Sequence, residues 1–282
     1  MGVVDSLRKL FRYEVTRDTP VGGGGCGKVW EAHDMLLDRK VAIKTVNELL
    51  LLDSPDEARR TFVKEAIVGA RLGEASRHIV KVYDVGVIDG MPFFVMEWIE
   101  PDESSHRIDI APLIGNTSLS RAKVILFEVC DALGLAHKHG IVHSDIAPWN
   151  IVYDGGTRVY KLSDFGLLKI VEDQLVSRGS GSLLKGGRAD FQPPYVRDDI
   201  RRVGFAADVH ALAVTLRVLL EGDGCLRYNG GEVVPTPGVI RVRREQRDAP
   251  DQVRQLLARF LDDHAETDRV ADFLQMLQCV PN

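Results

Sequence analysis

The sequence has few of the features that mark secreted, membrane-spanning or nucleic-acid-binding proteins. Its four cysteines lie far apart and form no C-x-x-C pair, which predicts a reducing compartment rather than a disulfide framework or zinc site. No apolar signal stretch opens the chain, and no apolar run reaches the ~18 residues of a bilayer span. The formal net charge of -5 gives no attraction to nucleic acid. We therefore expect a cytoplasmic protein with no transmembrane segment and no nucleic-acid partner.

What is present is the composition of a folded domain. Of the 282 residues, 45% are hydrophobic and 27% are charged, so the chain can bury a substantial core. At roughly 100–200 residues per domain, the length allows one large domain or two packed lobes.

The first third of the chain alternates like β-strands around a single helix. Ser54 and Pro55 are typical of a helix start, and Gly73 of its end, which would leave Glu74 outside the helix. The predicted strands are Tyr13–Val15, Lys28–Ala32, Val41–Val46, Ile79–Val87 and Phe93–Ile99.

The rest of the chain is mainly helical in its periodicity. Ser118 or Ser120 could begin a helix that ends at Gly140, and another helix is expected from Phe205 to Gly222. The sequence therefore predicts an α+β fold with a β-rich N-lobe over residues 1–98 and an α-rich C-lobe over 99–282. A cleft between two such lobes is a common place for a small-molecule site.

A glycine-rich segment precedes the second predicted strand. Gly22, Gly24 and Gly27 form G-x-G-x-x-G, followed by Val29. A dinucleotide-binding turn of this pattern should open a helix, but the residues after Gly27 alternate like a strand. The pattern therefore favours a glycine hairpin whose backbone N–H groups approach phosphates closely.

Lys44 lies in the apolar strand Val41–Val46. A lysine there needs a partner, because burying an unpaired ammonium is costly. Glu65, on the predicted helix, is the preferred partner over Glu74. On this pair alone, a surface ion pair remains the alternative.

Three polar residues in the second half could support phosphoryl transfer. Asp145 could accept a hydrogen bond from an incoming hydroxyl, and Asn150 could give an oxygen to a divalent cation. Asp164 offers a second oxygen ligand, and such oxygens suit Mg²⁺. Phosphoryl transfer depends mainly on positioning and charge neutralisation.

With these motifs in order, the sequence resembles the eukaryotic-type serine/threonine protein kinases, in their bacterial form, over residues 12–278. The resemblance implies one two-lobed kinase domain with catalytic residues Asp145, Lys44, Glu65 and Asn150, and with Asn150 and Asp164 as ligands of Mg²⁺ or Mn²⁺. It also implies an ATP site formed by Val21, Gly22, Gly24, Gly27, Val29, Ala42, Lys44, Glu97, Trp98, Ile99 and Val152. Met96 would precede the adenine-binding hinge.

The implied reaction is transfer of the γ-phosphoryl group of Mg-ATP to a Ser or Thr hydroxyl of a protein substrate. Two alternatives remain open: a pseudokinase or ATP-binding interaction module, and a small-molecule kinase of the antibiotic or sugar type. The kinase unit would fill the chain, so regulation would act through the lobes themselves or a partner protein.

The sequence departs from the family pattern at four positions. Ser144 replaces the arginine that would pair with a phosphorylated activation loop, which suggests activity without that phosphorylation. Ala147 replaces a lysine, and Arg188 could supply the missing charge near Asp145. Tyr195 replaces a glutamate, which leaves Asp198 or Asp199 as candidate partners of Arg269.

Overall fold

A computed structural model describes most of the chain. The described residues are 5, 7, 10, 12–23, 27–48, 52, 55–102, 107–165, 169–170, 189–199, 202–223, 251–261 and 269–280. The predicted helix cap at Ser54, the middle of the glycine-rich segment and Arg188 lie outside them.

The first part of the chain forms an antiparallel six-stranded sheet. Its strands are β1 (Tyr13–Val15), β2 (Gly22–Gly23), β3 (Gly27–Asp34), β4 (Arg39–Val46), β5 (Val82–Ile88) and β6 (Met91–Glu97). The order is β1-β3-β4-β6-β5, and β2 pairs with β3. All five predicted strands are present, but four have different bounds, and only Tyr13–Val15 is as predicted. Ile79 precedes β5 and forms an isolated parallel bridge with Leu162, and Ile99 lies beyond β6.

Helix α1 spans Pro55–Ala75 and packs against the sheet. The predicted end at Gly73 is wrong, because the helix continues through Gly73 and Glu74. A Cβ at Gly73 would lie 2.8 Å from Lys81 Cα, so this glycine permits close packing against the segment before β5. Glu74 lies inside the helix, and its Oε1 is 2.9 Å from Lys81 Nζ.

The remaining part is mainly helical. Its helices are α2 (Leu119–Lys138), α3 (Pro194–Asp198), α4 (Phe205–Glu221), α5 (Asp251–Leu261) and α6 (Val270–Cys279). Ser118 caps α2 by accepting a hydrogen bond from Arg121 N. Gly140, two residues beyond α2, has φ +71°, a conformation that favours glycine. The buried faces of α2, α4 and α6 meet in the largest hydrophobic core.

The mainly helical part also contains two short antiparallel sheets of two strands each. Strand β7 (Ile141–Val142) pairs with β10 (Lys169–Ile170), and β8 (Ile151–Asp154) pairs with β9 (Val159–Leu162). Leu162 joins the two parts of the molecule, since its N–H donates to His78 O at 2.8 Å and its carbonyl accepts from Val80 N at 3.0 Å. The predicted α+β architecture with two lobes is confirmed. Among the described helices, none is long and apolar enough to cross a membrane.

Candidate active site

The glycine-rich segment lies at the edge of the sheet, where β2 and β3 form a hairpin. Gly22 pairs with Val29, and a Cβ at Gly22 would be 4.0 Å from the nearest atom, Val29 Cβ. Gly27 is different, because its Cβ would lie 2.1 Å from the carbonyl oxygen of Thr45. Gly27 is therefore required for packing β3 against β4, whereas Gly22 leaves room for a ligand. Gly24 lies outside the described residues.

Strand register places several predicted site residues on one face of the sheet. Val29 is the cross-strand partner of Lys44, and Ala42 is the partner of Met96. Because side chains alternate along a strand, Ala42 and Lys44 point to the same side. Val21, next to β2, is 42% exposed.

Lys44 joins the sheet, helix α1 and the second lobe. Its Nζ donates to Glu65 Oε1 at 2.7 Å and to Asp164 Oδ1 at 2.6 Å. The predicted Lys44–Glu65 pair is thus present and buried. The surface-pair alternative does not hold, since their side chains are only 4% and 6% exposed.

The two carboxylates determine the charge state of Lys44. Burial alone would lower the pKa of its ammonium, but Asp164 and Glu65 outweigh burial and raise that pKa. Burial raises the pKa of Glu65 against the attraction of Lys44. Surrounding protein atoms oppose ionisation of Asp164, but its side chain is 47% exposed and Lys44 lowers its pKa. Lys44 therefore stays charged and can bind an anionic phosphate.

The predicted adenine site lies where β6 meets the β8–β9 hairpin. Ile99 and Val152 are buried in one cluster with Val80, and Met96 packs against it. Trp98 follows β6; its ring lies 5.5 Å from Lys40 Nζ, and its buried indole N–H has no hydrogen-bond partner among the described residues. Hydrophobic residues from both lobes thus form a surface on which a flat ring could pack.

Asp145 and Asn150 lie in the loop between β7 and β8. Asn150 donates from Nδ2 to the carbonyl oxygen of Asp145 and to its Oδ2, at 2.7 Å each. The Asp145 N–H donates to His143 Nδ1 at 3.2 Å, and His143 Nε2 donates to Ser163 O at 3.0 Å. These contacts fix the Asp145 carboxylate next to the cleft.

Asp208, in the first turn of α4, anchors this loop. It is 1% exposed and accepts hydrogen bonds from the backbone N–H groups of His143 and Ser144, both at 2.8 Å. The ring of His137 also lies 2.9 Å from Asp208 Oδ2. Sequence reasoning missed His137, whose only signal was its position near the end of α2.

The residues present fit a divalent cation. Asn150 uses its amide nitrogen toward Asp145, which leaves its oxygen for a ligand, and Asp164 binds Lys44 with only one carboxylate oxygen. Amide and carboxylate oxygens are the donors that Mg²⁺ prefers. Within the described ranges, no group of three or more His, Cys, Asp or Glu could hold a metal by itself. The remaining ligands would have to be water and phosphate.

The departures from the kinase pattern have different surroundings. Ala147 is 1% exposed, and Ser144 adopts φ +69° with its buried hydroxyl unpartnered among the described residues. The guanidinium of Arg202 lies over the Tyr195 ring, 4.9 Å from its centroid. The pairing of Asp198 or Asp199 with Arg269 stays a prediction. Tyr195 itself has a different basic neighbour, Arg202.

Comparison with known sequences places the chain in one family. The protein kinase domain family matches residues 15–274. PrkC of Bacillus subtilis, a serine/threonine-protein kinase, is 32% identical over 249 residues, which are 86% of this chain and 34% of PrkC. A probable serine/threonine-protein kinase PknB of Corynebacterium glutamicum is 32% identical over 239 residues, covering 80% of this chain and 35% of that protein.

The solved kinase domain of Mycobacterium tuberculosis PknI has the same fold, with a TM-score of 0.66 at 23% identity, covering 95% of this chain and 96% of that domain. The chain spans 26% to 39% of the length of the curated relatives it matches. The curated relatives named above are bacterial serine/threonine-protein kinases. The resemblance inferred from the sequence is confirmed, and this chain belongs to the protein kinase domain family.

Proposed function

We propose that this chain is a serine/threonine protein kinase that transfers the γ-phosphoryl group of ATP to a Ser or Thr hydroxyl of a protein. The observation that supports this most directly is the pair of contacts made by Lys44. One ammonium binds Glu65 of α1 and Asp164 of the opposite lobe, at 2.7 Å and 2.6 Å. The charged Lys44 can bind a nucleotide phosphate in this arrangement, and Asn150 orients Asp145 toward an acceptor hydroxyl.

The nucleotide would lie between the sheet and the β8–β9 hairpin. Val29, Ala42 and Val152 would contact the adenine ring, and the backbone around Glu97, Trp98 and Ile99 would bind its edge. Val21 and the glycines Gly22, Gly24 and Gly27 would cover the sugar and phosphates. Lys44 would bind phosphate oxygens, because it remains positively charged between its two carboxylates.

In the reaction, the acceptor hydroxyl would approach Asp145, which Asn150 and His143 hold in place. The acceptor oxygen forms a bond to the γ-phosphorus while the bond from that phosphorus to the β–γ bridging oxygen breaks. The hydroxyl proton passes to Asp145, and ADP leaves. Asn150 and Asp164 would hold Mg²⁺, or Mn²⁺ in its place, and the metal would neutralise phosphate charge.

The remaining expectations belong to the same proposal. The lobe boundary is proposed between residues 98 and 99, just beyond the end of β6 at Glu97. We propose a protein substrate as the partner. A regulatory partner protein is compatible with this proposal, and no nucleic-acid partner is expected. A cytoplasmic location follows from the need for ATP as phosphoryl donor.

The test is incubation of the purified chain with γ-labelled ATP and Mg²⁺, alone and with a generic protein substrate. Label on protein is expected, with at least a roughly hundredfold loss in Asp145→Ala and in Asp164→Ala. Phosphoamino-acid analysis should find phosphoserine or phosphothreonine. Asp56→Ala, at an exposed carboxylate on α1, is the matched control. Nucleotide binding without transfer would show a pseudokinase, and label only on a small acceptor would show a small-molecule kinase.

A further inference from the structure

A buried lysine that the proposed reaction does not use lies behind the adenine site. Lys161 is in β9, and its side chain is only 7% exposed. Its Nζ donates to Glu97 Oε2, and it lies 3.6 Å from Asp154 Oδ2. The side chains of Glu97 and Asp154 are 15% and 7% exposed, so the ammonium of Lys161 compensates two carboxylates that have little contact with water. A buried charge without a partner is strongly unfavourable, so burial of the Glu97 and Asp154 carboxylates depends on the charge of Lys161.

The Glu97 end of the group is the last residue of β6, directly before Trp98. Its backbone N–H donates to Lys81 O at 2.9 Å, and its Oε1 accepts from Lys81 N at 2.7 Å. Both carboxylate oxygens and the backbone of Glu97 are therefore engaged. The peptide that follows, where the adenine edge is expected, begins at a residue held from two sides.

The Asp154 end holds the turn between β8 and β9. Asp154 accepts from Thr157 Oγ1 at 2.6 Å and from Gly156 N at 3.1 Å. This turn also contacts the connector between the lobes, since Gly155 N donates to Glu100 O at 2.8 Å. Lys161 thus links the end of the sheet to the hairpin that carries Val152, its own cross-strand partner.

We propose that Lys161 is a positioning residue for nucleotide binding, which rests on the proposed function. It keeps the Glu97–Ile99 peptide at a fixed distance from Val152. The backbone of this peptide can then bind the edge of the adenine ring while the Val152 side chain packs against its face. The phosphate end of the nucleotide is held independently by Lys44 and the glycine-rich segment. Loss of Lys161 should therefore weaken nucleotide affinity and leave transfer from bound ATP nearly unchanged.

The experiment measures ADP binding by calorimetry with the full chain. Lys161→Met is expected to raise the Kd for ADP about tenfold, which corresponds to 1.4 kcal/mol. Lys161→Arg keeps the charge and the hydrogen bonding, and should recover most of the affinity. Lys81→Met is the matched control, because it removes only an ion pair to a 70% exposed Glu74 and leaves the Lys81 backbone in place. Its Kd should equal that of the wild-type chain.

A second variant guards against misfolding. Glu97→Gln/Lys161→Met removes one buried carboxylate together with the lysine, so it leaves less uncompensated charge while still breaking the link. It should also bind ADP about tenfold more weakly, with the KM for ATP raised and kcat within about twofold. Unchanged ADP affinity in this folded double variant overturns the role of Lys161. No ADP binding by the wild-type chain would instead overturn the proposed function, and this inference with it.

Discussion

Asn150 holds Asp145 through a single amide nitrogen, which donates to both the backbone carbonyl and the carboxylate of Asp145 at 2.7 Å. The two residues are five positions apart, and the short 3₁₀ turn Pro148–Asn150 brings them together. The amide thus orients the group that receives the acceptor hydroxyl, and its oxygen remains for a cation.

Removal of this amide should therefore affect the chemical step. Asn150→Ala is expected to lower kcat roughly a hundredfold or more, because Asp145 loses its orientation and the cation loses a ligand. Asn116→Ala, at an exposed asparagine after the turn that precedes α2, should leave kcat unchanged. Steady-state kinetics at saturating Mg-ATP measure both. Equal kcat in Asn150→Ala and wild type would contradict the role.

Gly22 and Gly27 of the hairpin should respond differently to alanine. Gly27→Ala should lower the free energy of unfolding by about 1–3 kcal/mol, because the new Cβ would lie 2.1 Å from Thr45 O. Gly22→Ala should leave the unfolding free energy of the nucleotide-free protein nearly unchanged but weaken ATP binding. Chemical denaturation and nucleotide titration separate the two effects. Equal destabilisation by both variants would show that the hairpin is packed differently.

Two glycines in helices offer a second matched pair. Gly73→Ala should destabilise the protein by about 1–3 kcal/mol, since Lys81 Cα would be 2.8 Å from the new Cβ. Gly134→Ala in α2 should stabilise it by up to about 1 kcal/mol, because a Cβ there meets nothing within 4 Å and alanine favours helix. Thermal unfolding of both variants is the measurement. Stabilisation by Gly73→Ala would mean that α1 does not approach Lys81 closely.

Asp34 should make the stability of the N-lobe sensitive to acid. Hydrogen bonds from Arg12, at 3.0 Å and 2.9 Å, lower the pKa of this buried carboxyl below its ordinary value of 3.8. Its ionised form therefore stabilises the fold above that value, and the contribution is lost as the pH falls through the lower pKa of the folded state. Melting temperatures of wild type and Asp34→Asn should differ near neutral pH and converge in acid. A difference that does not vary with pH would contradict this.

The chain should be active without phosphorylation of its activation segment, because Ser144 stands where related kinases have an arginine that binds the phosphate. Phosphatase-treated protein, with complete dephosphorylation checked by mass spectrometry, is expected to keep its initial rate within about twofold. Abolished turnover that returns on rephosphorylation would disprove the hypothesis.

Residues close in sequence or on a regular element were predictable. Alternation gave the strands that carry Val29, Ala42 and Lys44. Glu65 was identified as the partner of Lys44, but the reason given against Glu74 was wrong, because Glu74 also lies inside the helix. The spacing of Asp145 and Asn150 predicted their joint role because both lie in one short loop. Local rules were enough where the contact is made within one element or between elements with clear periodicity.

Contacts set by tertiary packing were not predictable. Gly73 has the local signature of a helix end, but close approach of Lys81 makes glycine necessary inside the helix. Lys161 lies 64 residues from Glu97, and nothing in an alternating strand marks a lysine as inward-facing rather than exposed. Such buried charge pairs depend on which elements meet, and neither propensity nor period records that.

The anchoring of the catalytic loop by Asp208 has a consequence for biosynthesis. Asp208 lies 65 residues beyond His143, so a growing chain exposes its catalytic loop long before the anchor leaves the ribosome. Until α4 is made, the backbone N–H groups of His143 and Ser144 and the ring of His137 can bind water but not Asp208. The contacts that hold the catalytic loop are therefore complete only once α4 has been made.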